Sequence, residues 1–208
     1  MAIPPRTGAW AGILLVLVWV GLYLVAAVAA VRSPYGYNVV DYYLSDLGNP
    51  AAPAPWAFNA GDILAGLLAI PFGLALAGTV PRVWGRVAGT LVVLAGVSLV
   101  GVGAFPEGSP YGLHGTFSLA FFLLLTIALG VVIRPFFRPG PYRPLAAWVT
   151  VGAFALNVVL VVTWVANVGD PQLSEHLGVF SALGWTGTTS FALWRAPTAT
   201  TQPRAAPA

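Results

Sequence analysis

Asp41, Ser45 and Asp46 lie within one short stretch, DYYLSDLGNP at residues 41–50, in a chain of which only 7% is charged. Asp62, Glu107, Asp170 and Glu175 complete the acids, and His114 and His176 are the only histidines. Imidazole and carboxylate support two chemistries that these residues could share. In the first, His114 is a general base and Asp46 the acid that orients it. In the second, His114, His176 and Asp46 ligate Zn²⁺ and leave a fourth position for an activated water. Ser45 adds a hydroxyl, although nothing around it resembles the strained turn that exposes a nucleophilic serine. No His-Glu-x-x-His pair is present, so a metal set would have to be assembled from separate loops and helices.

Those residues must be carried by a membrane scaffold. Hydrophobic residues make up 58% of the 208, the mean hydropathy is +0.85, and a soluble domain has an apolar share nearer half with about a quarter charged. Apolar runs at residues 9–31, 55–79, 83–105, 110–133, 144–168 and 171–194 each reach the roughly 20 residues that cross a hydrocarbon core. The expectation is an all-α bundle of six transmembrane helices over residues 1–195, followed by a disordered cytoplasmic tail at 196–208 that is rich in Pro, Ala and Thr. The first run is too long for a signal-peptide core and is expected to remain as a helix. Cysteine is absent, which excludes disulfides and thiolate chemistry. The nine basic residues are all arginine and punctuate apolar segments, which is not the contiguous patch of a nucleic-acid binder.

Arg6, Arg82, Arg86, Arg134, Arg138, Arg143, Arg195 and Arg204 fall at the N-terminus, the second and fourth loops and the C-terminus, with Arg32 alone on the opposite side. The positive-inside rule then places both termini in the cytoplasm of a multi-pass cell-membrane protein and every acid toward the extracytoplasmic side. Asp62 stands out, because a second helix starting near Pro55 carries it about 10 Å along the axis, where a carboxylate needs a partner or a wet cavity. Asn59 and Gly66 share its face. Ser109-Pro110 and Asp170-Pro171 read as cap and first residue of the fourth and sixth helices, which puts both histidines four or five residues inside. Ser118 follows His114 on one face, and Asn157, Trp164 and Asn167 form a stripe on the fifth span, so these residues could line one cavity. In the first loop, Asn38 as N-cap and Gly48 as terminator predict a short interfacial helix over Val39–Leu47 with Asp41, Ser45 and Asp46 on its polar face. Gly66 and Gly73, seven apart, suit close helix packing.

YLSDLGNP, FNAGDIL with the following Gly66, GVGAFPEG at 101–108 and His114 resemble the domain of unknown function 998 family of six-span prokaryotic membrane proteins. A Ser-Asp-x-Gly element after the first span and a histidine opening the fourth are more distantly similar to the Frag/DRAM/Sfk membrane proteins, some of which are tied to lipid remodelling. The resemblance implies that Ser45, Asp46, Gly48, Asn59, Glu107 and His114 are the positions to watch. Catalytic candidates are thus Asp46, His114, Ser45 and Glu107, with Asn59, Asp62, Ser118 and Asn157 as substrate-binding candidates. Three functions stay open: binding or modifying a membrane lipid, with a hydrolase or transferase as the enzymatic form, proton-coupled transport through Asp62 and His114, and noncatalytic membrane assembly.

Overall fold

The computed structural model describes residues 3–140 and 144–196. Arg143, Arg204 and all but the first residue of the expected tail lie outside them. Six α-helices follow one another: α1 Pro5–Val31, α2 Pro55–Thr79, α3 Arg82–Ala104, α4 Leu113–Phe136, α5 Leu145–Ala166 and α6 Pro171–Trp194. Proline at the first position of α1, α2 and α6 sets the helical φ where no backbone donor is needed. Pro71 does not interrupt α2.

Each helix packs against its neighbours in sequence, and α6 returns to pack against α1. The bundle is therefore a closed ring of six helices around a central axis. The connections after α2 are short and make successive helices antiparallel. The long α1–α2 connection, residues 32–54, meets the start of α6 through Leu44 and Glu175. It therefore shares one end with the α3–α4 and α5–α6 connections, and that end holds the acids. Arg6, Arg86, Arg134, Arg138 and Arg195 belong to the other end.

Five of the helices are long and apolar enough to cross a membrane. The sixth expected span is α6, which has the length at 24 residues but not the apolarity. The reason is what it buries: Ser174, Glu175, His176, Thr186, Thr189 and Ser190 all face protein.

Small residues bring α2 and α3 together. A Cβ on Gly66 would stand 2.5 Å from the Gly96 carbonyl oxygen, and one on Gly73 would stand 2.9 Å from that of Gly89. The pair seven residues apart on α2 thus meets a matching pair on α3, and the two backbones touch where lipid gives no hydrophobic drive for association.

Two local expectations are corrected. The Val39–Leu47 helix does not form; a 3₁₀ helix over Leu44–Gly48 takes its place. Asn38 Oδ1 accepts from the N–H groups of Val40 and Asp41, both at 3.0 Å, which closes a turn and not a helix. Leu44 and Leu47 then pack inward beside Trp19 and Phe58 and are almost fully buried, so this segment plugs the ring instead of floating on the interface. The start of α4 also moves, from Pro110 to Leu113. Tyr111 at φ 61° and Gly112 at φ 64° break the helical path, which puts His114 in the first turn and not a full turn inside.

Gly66→Ala or Gly96→Ala is expected to lower the unfolding free energy by about 1–3 kcal/mol through overpacking. Gly21→Ala, whose Cβ meets nothing within 4 Å, should cause no loss. Thermal unfolding of the purified protein, followed by circular dichroism, checks both.

Candidate functional site

The Leu44–Gly48 segment is held from several sides. Glu175, 4% exposed on α6, accepts the Leu44 N–H on Oε2 at 2.9 Å, and the N–H and hydroxyl of Ser45 also bond to its carboxylate. Asn59 on α2 donates to the Gly48 carbonyl at 3.0 Å. A Cβ at Gly48 would collide with the Asn59 side chain, so glycine is needed there for closeness. Tyr35 donates to the Asp46 carbonyl at 3.1 Å. Asp46 itself turns its Oδ2 back onto the Tyr43 N–H at 2.7 Å.

Two cavities meet at this segment. One is a polar cleft of about 570 Å³ at the acidic end, whose lining includes Tyr43, Ser45, Glu107, His114, Trp164 and Asn167. The other is a narrow apolar chamber on the ring axis, with Ser45, Asp62, Ser118 and Glu175 at its upper part and Phe72 and Trp185 below. From Glu175 to Trp185 along α6 is roughly 15 Å at the helical rise. The free volume is only about 90 Å³, so the chamber is a slit that suits a slender chain and not a fused ring. Ser45 lines both spaces. Trp164 in the cleft packs edge-on against Phe122 in the chamber, with ring centroids 5.9 Å apart, and continues the partition.

The cleft carries an acid–base set. Glu107 and Asp46 share a hydrogen bond, and burial first, then that bond and the Asp46 charge, raise the Glu107 carboxyl from 4.5 to about 7. His114 Nδ1 lies 3.1 Å from the Phe105 carbonyl. A carbonyl can only accept, so Nδ1 carries the proton and Nε2 is the basic nitrogen. Asp46 acts on this ring through its charge, and the Val102 carbonyl is also close to it. Three polar atoms of cleft-lining residues are buried without a hydrogen-bond partner: Glu107 Oε2, His114 Nε2 and Trp164 Nε1.

Asp46, His114, Ser45 and Glu107 are thus brought together, although they come from three separate stretches of chain. Asn59 holds the plug and lines neither cavity. Asp62 and Ser118 are buried on the chamber, where Asp62 accepts from Trp19 Nε1 at 2.8 Å. Asn157 departs from the expected cavity wall: it donates to the Gly178 carbonyl at 3.4 Å and to Ser181 Oγ at 3.2 Å, a clamp between α5 and α6. Trp164 and Asn167 of the same stripe do reach the cleft.

His176 does not join His114. Its Nδ1 lies 2.8 Å from the Gln172 carbonyl and its Nε2 2.7 Å from Tyr37 Oη. The carbonyl fixes the proton on Nδ1, so Nε2 accepts from Tyr37, whose hydroxyl burial keeps protonated by raising its pKa. With both nitrogens engaged, His176 has no lone pair for zinc. Among the described residues no three His, Cys, Asp or Glu side chains are grouped to hold a metal ion, so the His114, His176 and Asp46 set is not assembled.

Glu175 and Tyr37 were not singled out from the sequence as site residues, whereas Trp164 was part of the stripe expected on the fifth span. For Glu175 a signal was present: Asp170 caps α6 by accepting the Leu173 N–H at 2.8 Å, and counting from that cap puts Glu175 about 7 Å into a helix, not in a loop. The tyrosine gave none, since aromatic residues are common at membrane interfaces.

No curated protein and no solved structure matches the chain. A family described as protein of unknown function (DUF998) matches residues 16–192, a span that holds the ring from the middle of α1 to the end of α6 together with both cavities. The chain belongs to this DUF998 family of integral membrane proteins.

Proposed function

We propose that the protein sits in the cell membrane with both termini cytoplasmic and binds a membrane lipid from the extracytoplasmic side, its headgroup in the cleft and one hydrocarbon chain in the chamber. The observation that carries this reading is that Ser45 lines both spaces. A polar pocket and a slender apolar one that share Ser45 as a common wall match the polarity of the two halves of an amphiphile, and one molecule fills both when that wall moves aside. The arginine-rich end supplies the orientation.

His114 Nε2 favours a second, stronger form of the reading, in which the bound lipid is also modified. An unpartnered basic nitrogen beside a carboxyl that titrates near neutrality is the equipment of general acid–base catalysis, with His114 removing a proton and Glu107 supplying one. Transport has less support, because the chamber is closed below by Phe72 and Trp185, whose rings meet edge to face at 5.7 Å.

A lipid with a photoactivatable group in its chain should label chamber residues such as Leu99 and Val179, and Leu99→Trp should suppress the labelling. Labelling confined to outward residues such as Leu94 and Val97 would remove the lipid reading. For orientation, a cysteine at Ser109 should react with an impermeant thiol reagent in intact cells and one at Gly140 should not; the reverse pattern would invert the topology.

Glu107 also predicts a pH dependence. Its folded value of about 7 lies above the ordinary 4.5, so between the two the folded chain holds a proton that the unfolded chain releases. The stability it contributes is present below 4.5 and lost as pH rises through 7. Glu107→Gln should flatten that part of the melting-temperature profile and melt higher than the wild type at pH about 8; equal slopes from acid to neutral pH would refute the assignment.

A further inference from the structure

The lining of the cleft constrains which headgroup it takes, an argument that rests on the lipid reading above. Glu107 Oε2 and His114 Nε2 are acceptors without donors, while Trp164 Nε1 is a donor without an acceptor. Their residues line the cleft from the α3–α4 connection, the first turn of α4 and the end of α5. The three atoms lie just beneath its surface, so a ligand that draws them out ties three elements together. Leaving such atoms unpaired in a shielded site is unfavourable, and a ligand that pairs with them recovers the loss.

Each headgroup type can be tested against this set. A phosphate monoester offers mostly acceptors and negative charge, yet among the described residues no arginine lines the cleft, and the sequence has no lysine. The N-terminal turn of α4, which lines the cleft at Gly112, His114 and Gly115, would favour an anion. However, Glu107 lines the same wall and Asp46 acts on His114 through its charge, so that positive end already faces carboxyl groups. An ammonium offers only donors and leaves the Trp164 indole N–H unanswered. Asp46, the anionic partner it would seek, already accepts the Tyr43 N–H and shares a hydrogen bond with Glu107. An alcohol donates and accepts through the same oxygen, so two neighbouring hydroxyls can give protons to His114 Nε2 and Glu107 Oε2 and take one from Trp164.

We propose that the cleft selects lipids whose headgroup is uncharged and carries neighbouring hydroxyls, with Glu107, His114 and Trp164 as the recognising residues. Glycerol and sugar headgroups are the chemical class. Selection comes from hydrogen bonds that a charged or hydroxyl-free headgroup leaves unmade, a difference on the order of tenfold in affinity for each.

The test uses the full chain in phosphatidylcholine nanodiscs with three photoactivatable probes of equal chain length: a monoacylglycerol, a lysophosphatidic acid and an alkylamine. Half-saturating concentrations for labelling the chamber are compared. The expected result is that the monoacylglycerol saturates at a concentration at least about tenfold below the other two. Trp164→Phe, which keeps the ring and removes the N–H, should shrink that advantage, as should His114→Gln. Equal or tighter labelling by the lysophosphatidic acid or the amine would overturn the headgroup assignment and leave lipid binding standing. An advantage unchanged in both variants would overturn the roles of these atoms. Chamber labelling by none of the three would overturn the lipid reading itself, and this proposal with it.

Discussion

The buried carboxylate of Glu175 is the interaction on which the site depends. An acid inside a packed helix bundle is costly unless hydrogen bonds meet it, and here they come from the first residues of the Leu44–Gly48 segment. The exchange is mutual. A 3₁₀ helix also begins with backbone N–H groups that lack internal partners, and once buried they need an acceptor. Glu175 supplies it from α6, 131 residues away in sequence. A loop that would otherwise lie at the surface becomes the ceiling of the chamber and one wall of the cleft. Ser45 is located by that bond, and so are the carboxyl of Asp46 one residue on and its partner Glu107.

Closure of the ring gives the ceiling something to cover. Because α6 returns to α1, the six helices leave an axis that their side chains fill incompletely. Glycine contacts draw α2 and α3 so close that the backbones touch, while large aromatic side chains close the lower part of the axis. Within the ring Asp62 is paired with Trp19 and His176 with Tyr37, while Asn157 Oδ1, Trp185 Nε1 and Thr189 Oγ1 are buried without a partner. In the cleft the same accounting leaves three atoms over. What sets the cleft atoms apart is that their residues line a space of about 570 Å³, large enough for a headgroup.

Much of the scaffold could be read directly from the residues. Six apolar runs gave six helices with ends displaced by a few residues, because hydrophobic length and proline or glycine punctuation act locally. The chemistry-bearing end was also legible, since arginine and acid positions separate along the chain. The interfacial helix failed because a period of apolar residues does not say what they pack against. Val39, Val40, Leu44 and Leu47 fit a helical stripe, but Asn38 closes a turn first and the ring has room for Leu44 and Leu47. The metal set failed for a related reason: a histidine's availability depends on what its two nitrogens already meet, and the Gln172 carbonyl and the Tyr37 hydroxyl are invisible as partners in one dimension.

The sequence by itself therefore determined the class of the molecule, the number and order of its helices, and which titratable groups share one end. These follow from composition and local spacing, which are properties of short segments. Only the tertiary structure decided that Ser45 stands between two cavities, that Glu175 holds the plug, and that Glu107, His114 and Trp164 converge with polar atoms to spare. Each of those depends on distances between residues far apart in the chain, fixed by helix packing and by buried hydrogen bonds whose two partners no local pattern connects.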